Sequence, residues 1–115
     1  AVGQCFPRLS LAAVTLNGVE IPAGSTLTLC IGAANRDPAV FEQPDALKLD
    51  RHPNPQLSFG GGIHTCAGLH VARLEARTAI AGLFRRFPTL ALAGEPSRAQ
   101  RARFRGFTHL PVCAG

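Results

Sequence analysis

Ten residues, Phe59 to Gly68, read FGGGIHTCAG and carry more information about this chain than any other stretch. Three consecutive glycines, Gly60–Gly62, precede a lone Cys66. Since glycine has no Cβ, the main chain here can adopt torsions closed to other residues and can approach a bulky group closely. A strongly helical sequence follows, and the free N–H groups and dipole of a helix N-terminus favour thiolate over thiol. The stretch therefore predicts a bare loop that presents a nucleophilic or metal-binding sulfur.

The residues alone leave several roles open for Cys66. As a nucleophile it would need a base, and His64 and His70 are candidates, although no cysteine-protease signature is present. A zinc site is a second possibility, since four ligands could come from His52, His64, Cys66 and His70. The spacing, however, lacks a second CxxC or HxxxH motif. A dinucleotide-binding loop is excluded because Thr65 stands where G-x-G-x-x-G requires glycine. The default interpretation is a glycine-rich turn around a buried, inert cysteine.

Downstream of the loop, the apolar residues follow the spacing of one helix face. Pro88 ends the pattern, so the sequence predicts a helix over 69–87 with one apolar stripe, which is exposed unless another domain covers it. The stripe comprises Leu69, Ala72, Ala76, Ala79, Ile80, Leu83, Phe84 and Phe87.

Upstream of the loop, short β-elements are expected. Residues 13–21 alternate around Asn17-Gly18, which predicts a hairpin with a two-residue turn. The β-branched run Thr26–Ile31 predicts a further strand, and AANRDPAVF after it predicts a short helical turn. Residues 41–58 lack periodicity and predict a long coil, while 104–112 predict a terminal hairpin. The chain is expected to be α+β and to form one domain or part of one.

Composition limits the partners. The net charge is +5, and residues 71–115 carry eight Arg against two acids. With no Tyr or Trp for base stacking, this basic surface does not predict nucleic-acid binding. The four cysteines form no CxxC pair, so free thiols are expected. No membrane span or secretory signal is readable, and a cytoplasmic location is expected.

The complete register F-G-x-G-x-H-x-C-x-G resembles the haem-binding loop of the cytochrome P450 superfamily, a highly specific signature. The resemblance extends to RRFP and FRG…LPV downstream and to AANRDPAVF and IPAG upstream, so it covers essentially the full chain. It implies the C-terminal portion of a bacterial-type member, whose fold is mainly α with small β-sheets. Within a single partial domain, residues 1–115, it implies a cysteine loop at 59–68 and a helix at 69–87.

The resemblance also implies roles for individual residues. Cys66 would be the thiolate ligand of iron in haem b (iron protoporphyrin IX), favouring O–O cleavage, and no other catalytic residue is expected. Phe59 would restrain the thiolate's electronics, and the bare loop would let N–H groups reach the sulfur. His64 and Arg8 would meet the haem propionates. The glycines that match the signature are Gly60, Gly62 and Gly68.

Family resemblance further implies a haem-thiolate monooxygenase that acts on a small organic substrate. An acidic, ferredoxin-type electron carrier would dock near Arg73, with Arg77 one turn further along the helix. A plain solvated helix face is the alternative interpretation of these arginines.

Two features of the family pattern are missing. No E-x-x-R pair precedes Arg8, and Ala46 stands where the coil usually carries an arginine, unless Arg51 substitutes for it. The oxygen-activating helix is absent as well. We therefore expect the 115-residue chain by itself to be poorly stable and inactive. A non-enzymatic remnant and a small zinc domain remain the alternatives.

Overall fold

The computed structural model describes residues 3–115. By its internal contacts the chain divides into two units. The first comprises the described residues up to Ser58 together with Arg101–Arg105, and the second comprises Phe59–Gln100 and Gly106–Gly115. The two are described separately below.

Two small antiparallel sheets form the β-structure of the first unit. Strand β1 (Phe6–Leu9) pairs with β4 (Thr26–Leu29), and β2 (Val14–Leu16) pairs with β3 (Val19–Ile21). The predicted strand over 26–31 ends at Leu29, since the N–H groups of Ala33 and Ala34 bond to the carbonyl of Cys30 and start a helical turn.

The hairpin turn between β2 and β3 confirms the prediction made from Asn17-Gly18. Asn17 has φ of 48° and Gly18 has φ of 80°. Two successive residues with positive φ make the type I′ turn whose twist matches that of the flanking strands. Asparagine and glycine tolerate this conformation better than other residues, so the turn fixes the register of the hairpin.

Helix α1 (Ile31–Ala34) is a single turn, and a long coil follows it. Asn35 ties the far end of the coil to this turn: its Oδ1 accepts a hydrogen bond from the Leu57 N–H at 2.7 Å, and its Nδ2 donates to Ser58 Oγ at 3.2 Å. The absence of helix and strand over 41–58 agrees with the prediction of a coil.

Arg51 organises the middle of this coil. Its guanidinium donates to the carbonyl oxygens of Glu42, Gln43 and Ala46 at 2.8, 3.1 and 3.3 Å. It also lies over the ring of Phe41, 5.9 Å from the centroid. Phe41 is 5% exposed and is the only buried hydrophobic residue among residues 3–115. The arginine and the phenylalanine thus form a small core within the coil.

Helix α2 (Leu69–Arg86) is the main element of the second unit. Gly68 is its N-cap, and the N–H of Phe87 closes the last turn on the carbonyl of Leu83 at 2.8 Å. None of its 18 residues, all of which the structure describes, is buried. The apolar stripe is therefore not buried, as expected for a helix face that no other element of the unit covers. The exposed large apolar side chains of the whole helix α2 include Val71, Leu74, Ile80, Leu83 and Phe84.

The C-terminal β-structure is a nested hairpin. Strand β5 (Ala91–Leu92) pairs with β8 (Val112–Cys113), and inside this pair β6 (Ser97–Arg98) pairs with β7 (Phe107–His109). The prediction that residues 104–112 form a hairpin by themselves is wrong, because this range supplies only one arm of the hairpin. The other arm comes from residues 91–98, because β7 and β8 bond to β6 and β5 and not to each other.

No helix within residues 3–115 is long and apolar enough to cross a membrane.

Candidate functional site

Cys66 lies three residues before the first residue of α2 and is held by its main chain. Its N–H donates to the carbonyl of Phe59 at 2.8 Å, which closes the loop at both ends. Its carbonyl accepts a hydrogen bond from the N–H of Leu69 at 3.1 Å, which joins the loop to α2. The Cys66 side chain is exposed, and its Sγ has no hydrogen-bond partner in the described part of the chain. The buried, inert cysteine is therefore excluded.

All four cysteines are free, as predicted. Only Cys66 combines an exposed thiol with a position between a glycine-rich loop and the N-terminus of a long helix.

The glycines shape the loop in different ways. Gly60 has φ of +75°, and a Cβ there would lie 2.6 Å from the carbonyl oxygen of His64, so no other residue fits this position. Gly62 has φ of +58° but faces open space, so only its torsion requires glycine. It begins a short 3₁₀ turn, Gly62–His64, that Thr65 closes by donating from its N–H and Oγ1 to the Gly62 carbonyl.

Gly68 keeps the surroundings of the sulfur bare. A Cβ at Gly68 would meet Cys66 Sγ at 3.8 Å and no other atom within 4 Å. A side chain there would extend beside the thiol, and glycine removes it. An exposed sulfur without a hydrogen-bond partner, next to a residue that has no side chain, could serve as the one thiolate ligand of a large flat cofactor, so this donor is compatible with haem.

Phe59 is half-buried and has a partner that the sequence did not suggest. The guanidinium carbon of Arg73 lies 5.9 Å from the centre of its ring. A cation over an aromatic face within about 6 Å is attracted to the ring. The two residues are 14 positions apart, with a loop and a helix start between them, so no regular spacing reveals the contact.

The other residues predicted for the site make few contacts with the rest of the chain. His64 is exposed in the 3₁₀ turn. Arg8 belongs to the first unit, where it is half-buried on β1 and donates from Nη1 to the carbonyl of Pro7 at 2.8 Å. Arg73 and Arg77 are exposed, and neither forms an ion pair within residues 3–115.

The zinc alternative gains no support. Nowhere in residues 3–115 do three or more His, Cys, Asp or Glu side chains come together in a way that would hold a metal ion. Within the second unit, His64, Cys66 and His70 are not brought together in this way.

Comparison with protein families gives one match that spans nearly the whole chain. The model described as cytochrome P450 matches residues 2–109. Among curated proteins, the chain is 44% identical over 110 residues to the biotin biosynthesis cytochrome P450 of Bacillus subtilis (strain 168). It is 41% identical over 113 residues to nocardicin C N-oxygenase of Nocardia uniformis subsp. tsuyamanensis. These alignments cover 95% and 96% of this chain.

The chain spans 28% of the length of each of these two relatives. Solved structures agree with the sequence matches. P450BioI, crystallised in complex with an acyl carrier protein ligated to hexadec-9Z-enoic acid, superposes with a TM-score of 0.92 at 43% identity over 96% of this chain and 29% of that one. HmtT, involved in himastatin biosynthesis, gives a TM-score of 0.93 at 35% identity over 100% of this chain and 30% of that one.

Proposed function

The chain belongs to the cytochrome P450 family, and from this membership we propose that it supplies the haem-ligating segment of a monooxygenase. The proposed reaction inserts one atom of O₂ into an organic substrate with electrons from a redox partner. The observation that carries the proposal is the exposed, unpartnered Sγ of Cys66 between a glycine-shaped loop and the start of α2.

In this proposal Cys66 is the thiolate ligand. With the Cys66 thiolate as its ligand, haem iron would supply oxygen activation, because the thiolate would donate electron density that favours O–O cleavage. The chain's own part is to present the sulfur. The hydrogen bond from the Cys66 N–H to Phe59 fixes the main chain on one side, and the bond from the Leu69 N–H fixes it on the other. The sulfur is thereby directed by a main chain that is held at two points.

The proposed cofactor is haem b. His64 and Arg8 are proposed to meet the propionates, because a cationic or N–H donor suits a carboxylate. The exposed imidazole of His64 and the guanidinium of Arg8, which uses one N–H on Pro7, retain further donors for this role,.

For the electron donor we propose an acidic carrier protein that contacts Arg73 and Arg77. The two residues lie four positions apart on α2 and so share a helix face,. Neither is neutralised by an ion pair within residues 3–115, so both charges are free to steer a negatively charged partner,.

The test is a carbon monoxide difference spectrum of the reduced protein with added haem. We expect a thiolate-type Soret band that disappears in Cys66→Ala and persists in Cys113→Ala, which removes an exposed thiol elsewhere. A thiolate-type band that survives Cys66→Ala would refute the assignment. Zinc bound in place of haem, found by elemental analysis, would instead favour the metal-domain alternative.

The 115-residue chain alone is proposed not to turn over substrate, because it spans only 28% of its curated relatives. Substrate oxidation by the purified chain with haem and an electron donor would contradict this.

A further inference from the structure

From the contact between Arg73 and Phe59 we infer that Arg73 is a positioning residue for the Cys66 loop. This inference rests on the proposed function, since the loop matters for catalysis only if Cys66 is the haem ligand. It assigns to Arg73 a role inside the chain, independent of the docking surface proposed above.

Two sets of contacts connect Cys66 to α2. The Cys66 N–H bonds to the carbonyl of Phe59 at 2.8 Å, and the Cys66 carbonyl accepts from the N–H of Leu69 at 3.1 Å. The Phe59 ring then meets the guanidinium of Arg73, on α2, at 5.9 Å. The sulfur-bearing residue is thus linked to α2 directly through Leu69 and indirectly through Phe59 and Arg73.

The contact with Arg73 matters for Phe59 because the side chain is only partly buried by other residues. The residue is only half-buried, so hydrophobic contacts restrain its ring on part of its surface. The next three residues, Gly60–Gly62, have no side chains, so they add no side-chain contact to the ring. A cation held over the ring supplies a restraint that this part of the loop otherwise lacks.

Hydrogen exchange at the Cys66 amide measures this restraint directly, because that amide donates to Phe59. In Arg73→Gln we expect exchange at Cys66 to accelerate by about two- to fivefold, equivalent to about 0.5 to 1 kcal/mol. The α2 amides should exchange no faster, since loss of a positive charge near a helix N-terminus does not weaken the helix. Faster exchange throughout α2 would show general destabilisation and would overturn the inference.

A matched control exists on the same helix. Arg86 lies over the ring of Phe87 at 5.1 Å, at the opposite end of α2. Arg86→Gln therefore removes the same charge and the same kind of contact, and it should leave exchange at Cys66 unchanged. Equal acceleration in both variants would show that net charge, and not the contact with Phe59, is responsible.

A double-mutant cycle isolates the pair. If Arg73 acts through the ring, Arg73→Gln should have no further effect in a Phe59→Leu background. Additive effects would overturn the inference. Arg73→Lys should restore exchange only in part, because an ammonium stacks on a ring less well than a planar guanidinium.

The measurements are made on the protein both without and with added haem. The haem-free result tests the inference even if Cys66 proves not to ligate haem, whereas the Cys66→Ala spectrum tests the proposed function. In the haem-loaded protein we expect the same order of exchange rates, with Arg73→Gln fastest. No difference among the variants in either form would refute the positioning role.

Discussion

The guanidinium of Arg51 donates a hydrogen bond to the carbonyl oxygen of Glu42 at 2.8 Å. Two further carbonyls of the coil, those of Gln43 and Ala46, accept from the same group. Within the first unit, Arg51 therefore bonds to the main chain at Ala46, the position where the resemblance to the family led us to expect an arginine.

Replacing Arg51 with alanine should destabilise the coil. Three carbonyls lose a charged donor, and Phe41 loses the cation over its ring, so we expect a loss of about 1 to 3 kcal/mol. Urea unfolding and hydrogen exchange over residues 41–53 measure it. Lys48→Ala is the control, because its pair with the exposed Glu42 at 3.7 Å contributes about 0 to 1 kcal/mol,. Equal losses in the two variants would show that the hydrogen bonds of Arg51 do not stabilise the coil.

Gly60→Ala and Gly62→Ala form a matched pair. Both positions have positive φ, which costs alanine about 1 to 2 kcal/mol,. Only at position 60 would the new Cβ also meet a main-chain oxygen at 2.6 Å. We therefore expect the Gly60 variant to lose clearly more unfolding free energy than the Gly62 variant. Indistinguishable losses would mean that the loop relaxes around the added methyl group.

Gly82→Ala should stabilise the chain. Gly82 lies inside α2, and a Cβ there meets no atom within 4 Å. The gain from replacing glycine with alanine in a helix interior is about 0.8 to 1 kcal/mol. Thermal unfolding followed by circular dichroism would show it as a raised Tm. The reverse change at the neighbouring position, Ala81→Gly, should lower Tm, and a Gly82→Ala variant that unfolds earlier would contradict the prediction.

Phe84→Lys should reduce self-association of the 115-residue chain. Phe84 is 54% exposed on an apolar face that the second unit leaves uncovered, and exposed patches of this kind promote aggregation. Light scattering against concentration measures the change, while circular dichroism should show unaltered helix content. Thr78→Lys adds the same charge at another exposed position of α2. If it suppresses scattering equally well, charge and not the apolar face controls association.

The sequence predicted those elements that depend only on residues close together in the chain. Asn17-Gly18 predicted a turn because both residues tolerate positive φ, and both have it. The spacing of apolar residues and Pro88 predicted α2 to within one residue of its end. The spacing shows which face of the helix is apolar, whereas burial of that face depends on other elements that cover it.

The unpredicted features depend on contacts between distant residues. Strands β5 and β6 have two residues each, too few for a period-two pattern to appear. Arg51 bonds to carbonyl oxygens, which every residue possesses, so its acceptors leave no trace in the sequence. The cysteine loop was different, because a positive φ together with a Cβ that would lie 2.6 Å from the His64 carbonyl oxygen favours glycine at position 60, and that glycine is visible in the sequence.

The nested arrangement of the last four strands has a consequence for the order of folding. The inner pair joins Arg98 to Phe107, whereas the outer pair joins Ala91 to Cys113. Closing a longer loop costs more conformational entropy, so the inner pair is the cheaper one to form from an extended chain. Once it has formed, the segment that the outer pair must close is effectively shortened. We therefore expect the inner pair, β6 with β7, to form before the outer pair, β5 with β8, so that Cys113 is among the last residues to pair.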